Sequence, residues 1–81
     1  MEIPLIQLGP GKKATITRVE GGEGGRGFQI NLGTRGIRKG KEVEVVTMHP
    51  MQGPVVIRID GRETTIGRKM AARIFVDAGN I

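Results

Sequence analysis

Two stretches decide the fold: Lys41-Glu42-Val43-Glu44-Val45-Val46-Thr47-Met48 and Val55-Val56-Ile57-Arg58-Ile59-Asp60-Gly61-Arg62-Glu63-Thr64-Thr65-Ile66. In the first, Val43 and Val45 alternate with Glu42 and Glu44, the period of two that marks a strand with one buried face. In the second, Val55, Ile57 and Ile59 alternate with Val56, Arg58 and Asp60. Asp60-Gly61 supplies two residues that tolerate positive φ, as a tight hairpin requires, so 63–66 returns as a strand. Pro50-Met51-Gln52-Gly53-Pro54 is a turn between the two stretches. The reading predicts strands over 41–48, 55–60 and 63–66. The class is β.

On the N-terminal side, Ala14 and Ile16 alternate with Thr15 and Thr17, which predicts a strand over 12–19 ending at Gly21-Gly22. Residues 3–8 are apolar but include Pro4, so they read as an extended edge or lid segment before the Gly9-Pro10-Gly11 turn. On the C-terminal side, 67–72 is long enough for one helical turn, and 73–76 closes as a last short strand. Between the first strand and 41–48, residues 21–27 hold five glycines in seven positions. A short helix is predicted over 28–35, weakened by Gly33 at about 1 kcal/mol against Ala.

Composition agrees with this order. The 81 residues include 14 Gly and 4 Pro, so turns are frequent and helices short. Ile, Val and Thr are far commoner than Leu and Ala, and β-branched side chains favour pleated surfaces. Leu, Ile, Val and Phe make up 22 of the 81 residues, enough for one folded domain over 1–81 with a thin core. About five short strands in this length imply a small barrel, since closure removes exposed edges. The helical turn before the last strand favours the SH3-like arrangement: mainly β, with a short helical insertion after the first strand.

Several chemistries are excluded or disfavoured. With no Cys there is no disulfide, thiolate ligand or cysteine nucleophile. With one His and scattered acids, no metal site and no bound cofactor are expected. Gly22, Gly24 and Gly27 fit G-x-G-x-x-G, but 28–35 is too short for the crossover helix of a dinucleotide fold. The Gly40-Lys41 pair is followed by Glu42, not Ser or Thr, so there is no phosphate loop. The chain has no Ser, which removes the usual hydroxyl nucleophile. His49, beside Met48 and Met51, reads as a turn residue among adaptable apolar side chains. The protein is expected not to be an enzyme. No apolar run approaches the roughly 20 residues of a membrane span, and the N-terminus has no secretory pattern, so a cytoplasmic location is expected.

The net charge is +5, and residues 26–41 carry all of it through Arg26, Arg35, Arg38, Lys39 and Lys41 with no acid between them. One-sided charge steers association with an acidic partner. Around Phe28 and Ile30 it suggests an interface that combines steering with apolar burial. The candidate partner-binding set is therefore Arg26, Phe28, Ile30, Arg35, Arg38 and Lys39. A small basic nucleic-acid-binding barrel is the alternative. With no Trp or Tyr and only two Phe, the chain lacks stacking platforms for single strands, and nucleic acid is the weaker expectation. The sequence is compatible with a homo-oligomer. Gly40, before the strand of Val43 and Val45, and Gly61, after Asp60, are expected at positive φ.

The run Leu32-Gly33-Thr34-Arg35-Gly36-Ile37-Arg38-Lys39-Gly40-Lys41-Glu42-Val43-Glu44-Val45 resembles the centre of the ferrous iron transport protein A (FeoA) family. The likeness continues through Pro50, Gly53-Pro54 and the strand from Val55 to Ile59. It ends at Ala71-Ala72-Arg73-Ile74-Phe75-Val76, and Leu8, Gly11 and Ile16 fit the family's opening strand. The resemblance implies an SH3-like barrel with a helical insertion after the first strand. It also implies a small cytoplasmic accessory of ferrous iron uptake that docks on the GTPase-bearing permease FeoB, at the inner face of the membrane. The same domain occurs as the C-terminal module of iron- and manganese-dependent repressors. This chain departs from the family at Gln29-Ile30-Asn31-Leu32-Gly33, a poorer insertion helix, and in the glycines of 21–27.

Overall fold

A computed structural model describes residues 1–20, 36–49 and 53–79. They form strands β1 (Glu2–Pro4), β2 (Lys13–Val19), β3 (Glu42–Met48), β4 (Val55–Ile59), β5 (Arg62–Ile66) and β6 (Ile74–Asp77). A 3-10 turn, Leu5–Gln7, follows β1, and a four-residue helix α1, Arg68–Ala71, precedes β6. The strands at 41–48, 55–60, 63–66 and 12–19 thus form within a residue or so of the expected ends. So does the helical turn before the last strand. The helix expected over 28–35 lies outside the described residues.

All pairings are antiparallel in one sheet of order β1-β6-β2-β3-β4-β5. β6, last in sequence, lies between β1 and β2 and ties the two ends of the chain into the same corner. Two bulges bend the sheet. Thr17 is the extra residue of β2 against β6, and Val46 is the extra residue of β3 against β4. A bulge adds local right-handed twist, so the sheet coils around one apolar interior. Ile16, Val43, Val45, Val55, Ile57, Ile66, Ile74 and Val76 fill that interior at no more than 1% exposure.

Three expectations need correction. The described residues form six strands, because Glu2–Pro4 pairs with β6. Among the described residues the sheet is not a closed barrel, since β1 and β5 are its two edges. β1 is three residues long and ends at Pro4, which has no N–H to donate, so it offers little ladder for closure. Residues 3–8 divide: Ile3 and Pro4 lie in the extended edge strand β1, as one alternative has it, but the remainder is not a lid. After Pro4 the chain turns, with the Leu8 N–H donating to the Leu5 carbonyl at 3.0 Å. A 3-10 turn brings positions three apart onto one side, and Leu5 and Leu8 are both buried in the core. The segment is a plug of the core.

The hairpin between β4 and β5 follows its sequence signal. Asp60 has φ 54° and Gly61 φ 79°, the left-handed pair of a type I′ turn whose twist matches the flanking strands.

Candidate partner surface

Of the six residues expected to bind a partner, Arg38 and Lys39 lie within the described residues; Arg26, Phe28, Ile30 and Arg35 lie outside them. Arg38 and Lys39 occupy a tight turn entering β3. The Lys41 N–H donates to the Arg38 carbonyl at 3.2 Å, and Gly40 takes φ 92°, the positive value a type II turn needs at its third position. The turn is pinned on both sides. Ile37 is buried before it, and the Gly40 N–H donates to the Ile16 carbonyl of β2 at 2.8 Å. Lys41 forms an ion pair with Asp60 of the β4–β5 turn at 3.1 Å. Arg38 and Lys39 remain exposed at the tip. The local fold therefore presents two adjacent cations on a short, well-anchored loop.

Two further features need the three-dimensional register and were not singled out from sequence. The first is a row of alternating charge across the outer face. Lys13, Glu44, Arg58 and Glu63 stand directly opposite one another on β2, β3, β4 and β5. Arg58 bonds Glu63 at 2.6 Å and Glu44 at 3.2 Å. Glu63, with Glu44 in support, raises the Arg58 guanidinium further above its already high pKa. Lys13, Glu42, Glu44, Arg58, Asp60 and Gly61 line a shallow cleft of about 300 Å³ here. The second feature is a cleft of about 400 Å³ at the start of α1, lined by Gly67, Arg68, Lys69 and Ala72. There Arg68 donates through Nη2 to the His49 carbonyl at 3.0 Å, while its buried Nε has no hydrogen-bond partner among the described residues.

His49 directly follows β3, exposed, with its N–H donating to the Pro54 carbonyl at 3.2 Å. Met48 is half-buried against the core, and Met51 lies outside the described residues. Among the described residues, no group of three or more His, Asp or Glu side chains is arranged to hold a metal ion. No helix among them is long and apolar enough to cross a membrane.

Comparison with known proteins places this geometry. The family model for the FeoA domain matches residues 3–78. The crystal structure of an iron uptake regulatory protein (FeoA) is 32% identical and superposes with a TM-score of 0.83 over 94% of this chain and 96% of that one. Iron(II) transport protein A from Clostridium thermocellum is 31% identical with a TM-score of 0.81, over 94% of this chain and 45% of that one. A manganese-dependent transcriptional repressor shares the fold at 18% identity and a TM-score of 0.85; 96% of this chain spans 42% of the repressor. No protein with a curated description matches the sequence.

Proposed function

Because this chain belongs to the FeoA domain family, associated with ferrous iron uptake, we propose that it is a non-enzymatic accessory that docks on the cytoplasmic part of a FeoB-type GTPase permease. The observation that carries the reading is the anchored turn that projects Arg38 and Lys39 from a region with no acid between residues 26 and 41. A rigid loop carrying like charges loses little entropy on docking and accelerates encounter with an acidic surface. Arg26, Phe28, Ile30 and Arg35 extend the same surface in the proposal, with Phe28 as its apolar anchor. Ferrous iron is the permease's cargo, and this chain supplies binding rather than chemistry. The protein would sit at the inner face of the membrane, held there by its partner.

Affinity capture with the tagged protein from detergent-solubilised membranes containing the permease tests this. The permease is expected in the bound fraction, with association slowed by salt and by Arg35→Glu combined with Arg38→Glu. Phe28→Ala should act mainly on dissociation, as an apolar anchor does once contact is made. Wild-type rates in all of these variants remove the surface from the reading. Recovery of generic nucleic acid instead, with a steep salt slope, would support the nucleic-acid alternative.

A further inference from the structure

The two edges of the sheet are treated differently. β1 is short and ends in Pro4, and both features blunt an edge against pairing. β5 runs for five residues, Arg62–Ile66, without Pro, Lys or a bulge. Among the described residues its only paired neighbour in the sheet is β4. The two-residue turn fixes which backbone groups β4 uses. Ile59 and Arg62 close a type I′ hairpin and exchange both hydrogen bonds, and the pattern alternates from there. Arg62, Thr64 and Ile66 therefore bond to β4. The N–H and C=O groups of Glu63 and Thr65 point out of the sheet, and both residues are exposed.

The charge row gives this edge a chemical preference. Reading outward, the signs run positive at Lys13, negative at Glu44, positive at Arg58 and negative at Glu63, where the sheet stops. Arg58 engages Oε2 of Glu63 and leaves Oε1 to a further donor. An added strand would lie about 4.8 Å beyond β5, with its directly opposed residue within ion-pair reach of that carboxylate. Next along the same face, Thr65 stands opposite the half-buried Val56, a surface suited to another β-branched side chain.

We propose that the β5 edge binds an extended segment of another polypeptide as an antiparallel seventh strand, with Lys or Arg opposite Glu63 and a β-branched residue opposite Thr65. In the partner's own direction the pattern is β-branched, any residue, basic. A second copy of this chain fits less well. Antiparallel pairing of two β5 strands about Thr64 sets Thr65 of one copy against Glu63 of the other and leaves the row without its cation. The proposal uses none of the residues assigned to permease docking, so the two stand or fall separately.

The test is NMR titration of the isotopically labelled protein with an acetylated, amidated octapeptide of alternating Thr and Val carrying one Lys at the position facing Glu63. The control peptide has Glu in place of that Lys. Saturable shifts centred on β5, with slowed amide exchange at Glu63 and Thr65, are expected for the Lys peptide. Its affinity should exceed the control's by about threefold or more, the scale of one cross-strand charge pair. Glu63→Lys should reverse the preference, and Glu63→Gln, of the same shape, should abolish it. Equal affinities, shifts elsewhere or no saturation would overturn the proposal. So would protection of the Glu63 and Thr65 amides that grows with protein concentration alone, which identifies a second copy as the occupant.

Discussion

Gly40 and Gly61 are held at φ 92° and 79°, where an L side chain is strained. A Cβ at either position would meet nothing within 4 Å, so substitution there reports on the backbone alone. Gly40→Val and Gly61→Val should each destabilise by about 1–3 kcal/mol. In a domain this small, thermal denaturation should show that as a fall in Tm of at least about 4 °C. Melting within a degree of the parent would mean the turns are not built as described. Leu5 makes the opposite kind of test. It is fully buried beneath the 3-10 turn, so Leu5→Ala should cost about 2–5 kcal/mol. A residue in a mobile lid would tolerate the change. A matched Ile6→Ala, at a half-buried neighbour, should cost less; equal losses would argue against the plug.

Among the elements, those with one buried face were legible in the sequence. β3, β4 and β5 announced themselves because Val43, Val45, Val55 and Ile57 alternate with polar or less buried neighbours, and because only Asp60-Gly61 among the nearby dipeptides suits a type I′ turn. β1 left no such trace. Three residues ending in Pro4 are too few to show a period, and the i,i+3 spacing of Leu5 and Leu8 marks one helical turn, too short to stand out as a pattern. Closure was overestimated for a related reason, because it depends on what two edges do rather than on any local pattern. The candidate surface was legible only as a segregation of charge. The row from Lys13 to Glu63 was not, since it exists only once four strands adopt their register. Its central member makes a prediction at this scale. Arg58 is two-fifths exposed and serves two carboxylates, so Arg58→Met should lower Tm only slightly at low salt. Screening in 0.5 M NaCl should shrink that loss. A loss that salt leaves unchanged would mean Arg58 acts through its packed stem rather than its charge.

Across the whole molecule, the first and last strands are joined by carboxylates, and this sets how the fold responds to acid. Glu2 on β1 accepts from the Thr17 hydroxyl at 2.7 Å and from Arg18 at 3.1 Å, both on β2. Those bonds, Thr17 first, hold its carboxyl below the usual range. Asp77 at the end of β6 accepts from the Gly79 N–H and from the Met1 amino group, each at 2.9 Å, and is lowered likewise, the Gly79 bond leading. Arg18 also lies over the Phe75 ring of β6 at 4.1 Å, so one cation braces all three strands of this corner. Both carboxyls are more acidic folded than unfolded. Their contribution to stability is therefore fully present above the unfolded pKa, near 4, and is lost as pH falls through the lowered folded values. Tm should hold from pH 7 to about 5 and decline below about 4. Glu2→Gln should start from a lower Tm at pH 7 and show a shallower acid limb. Because the groups are exposed, added salt should also flatten that limb. Hydrogen exchange locates the effect. Acid should raise the opening of amides in the β1–β6–β2 corner, after correction for the intrinsic pH dependence of exchange, before it reaches those joining β3 to β4. Uniform loss of protection, or an acid limb identical in Glu2→Gln, would show that these carboxylates do not hold the corner together.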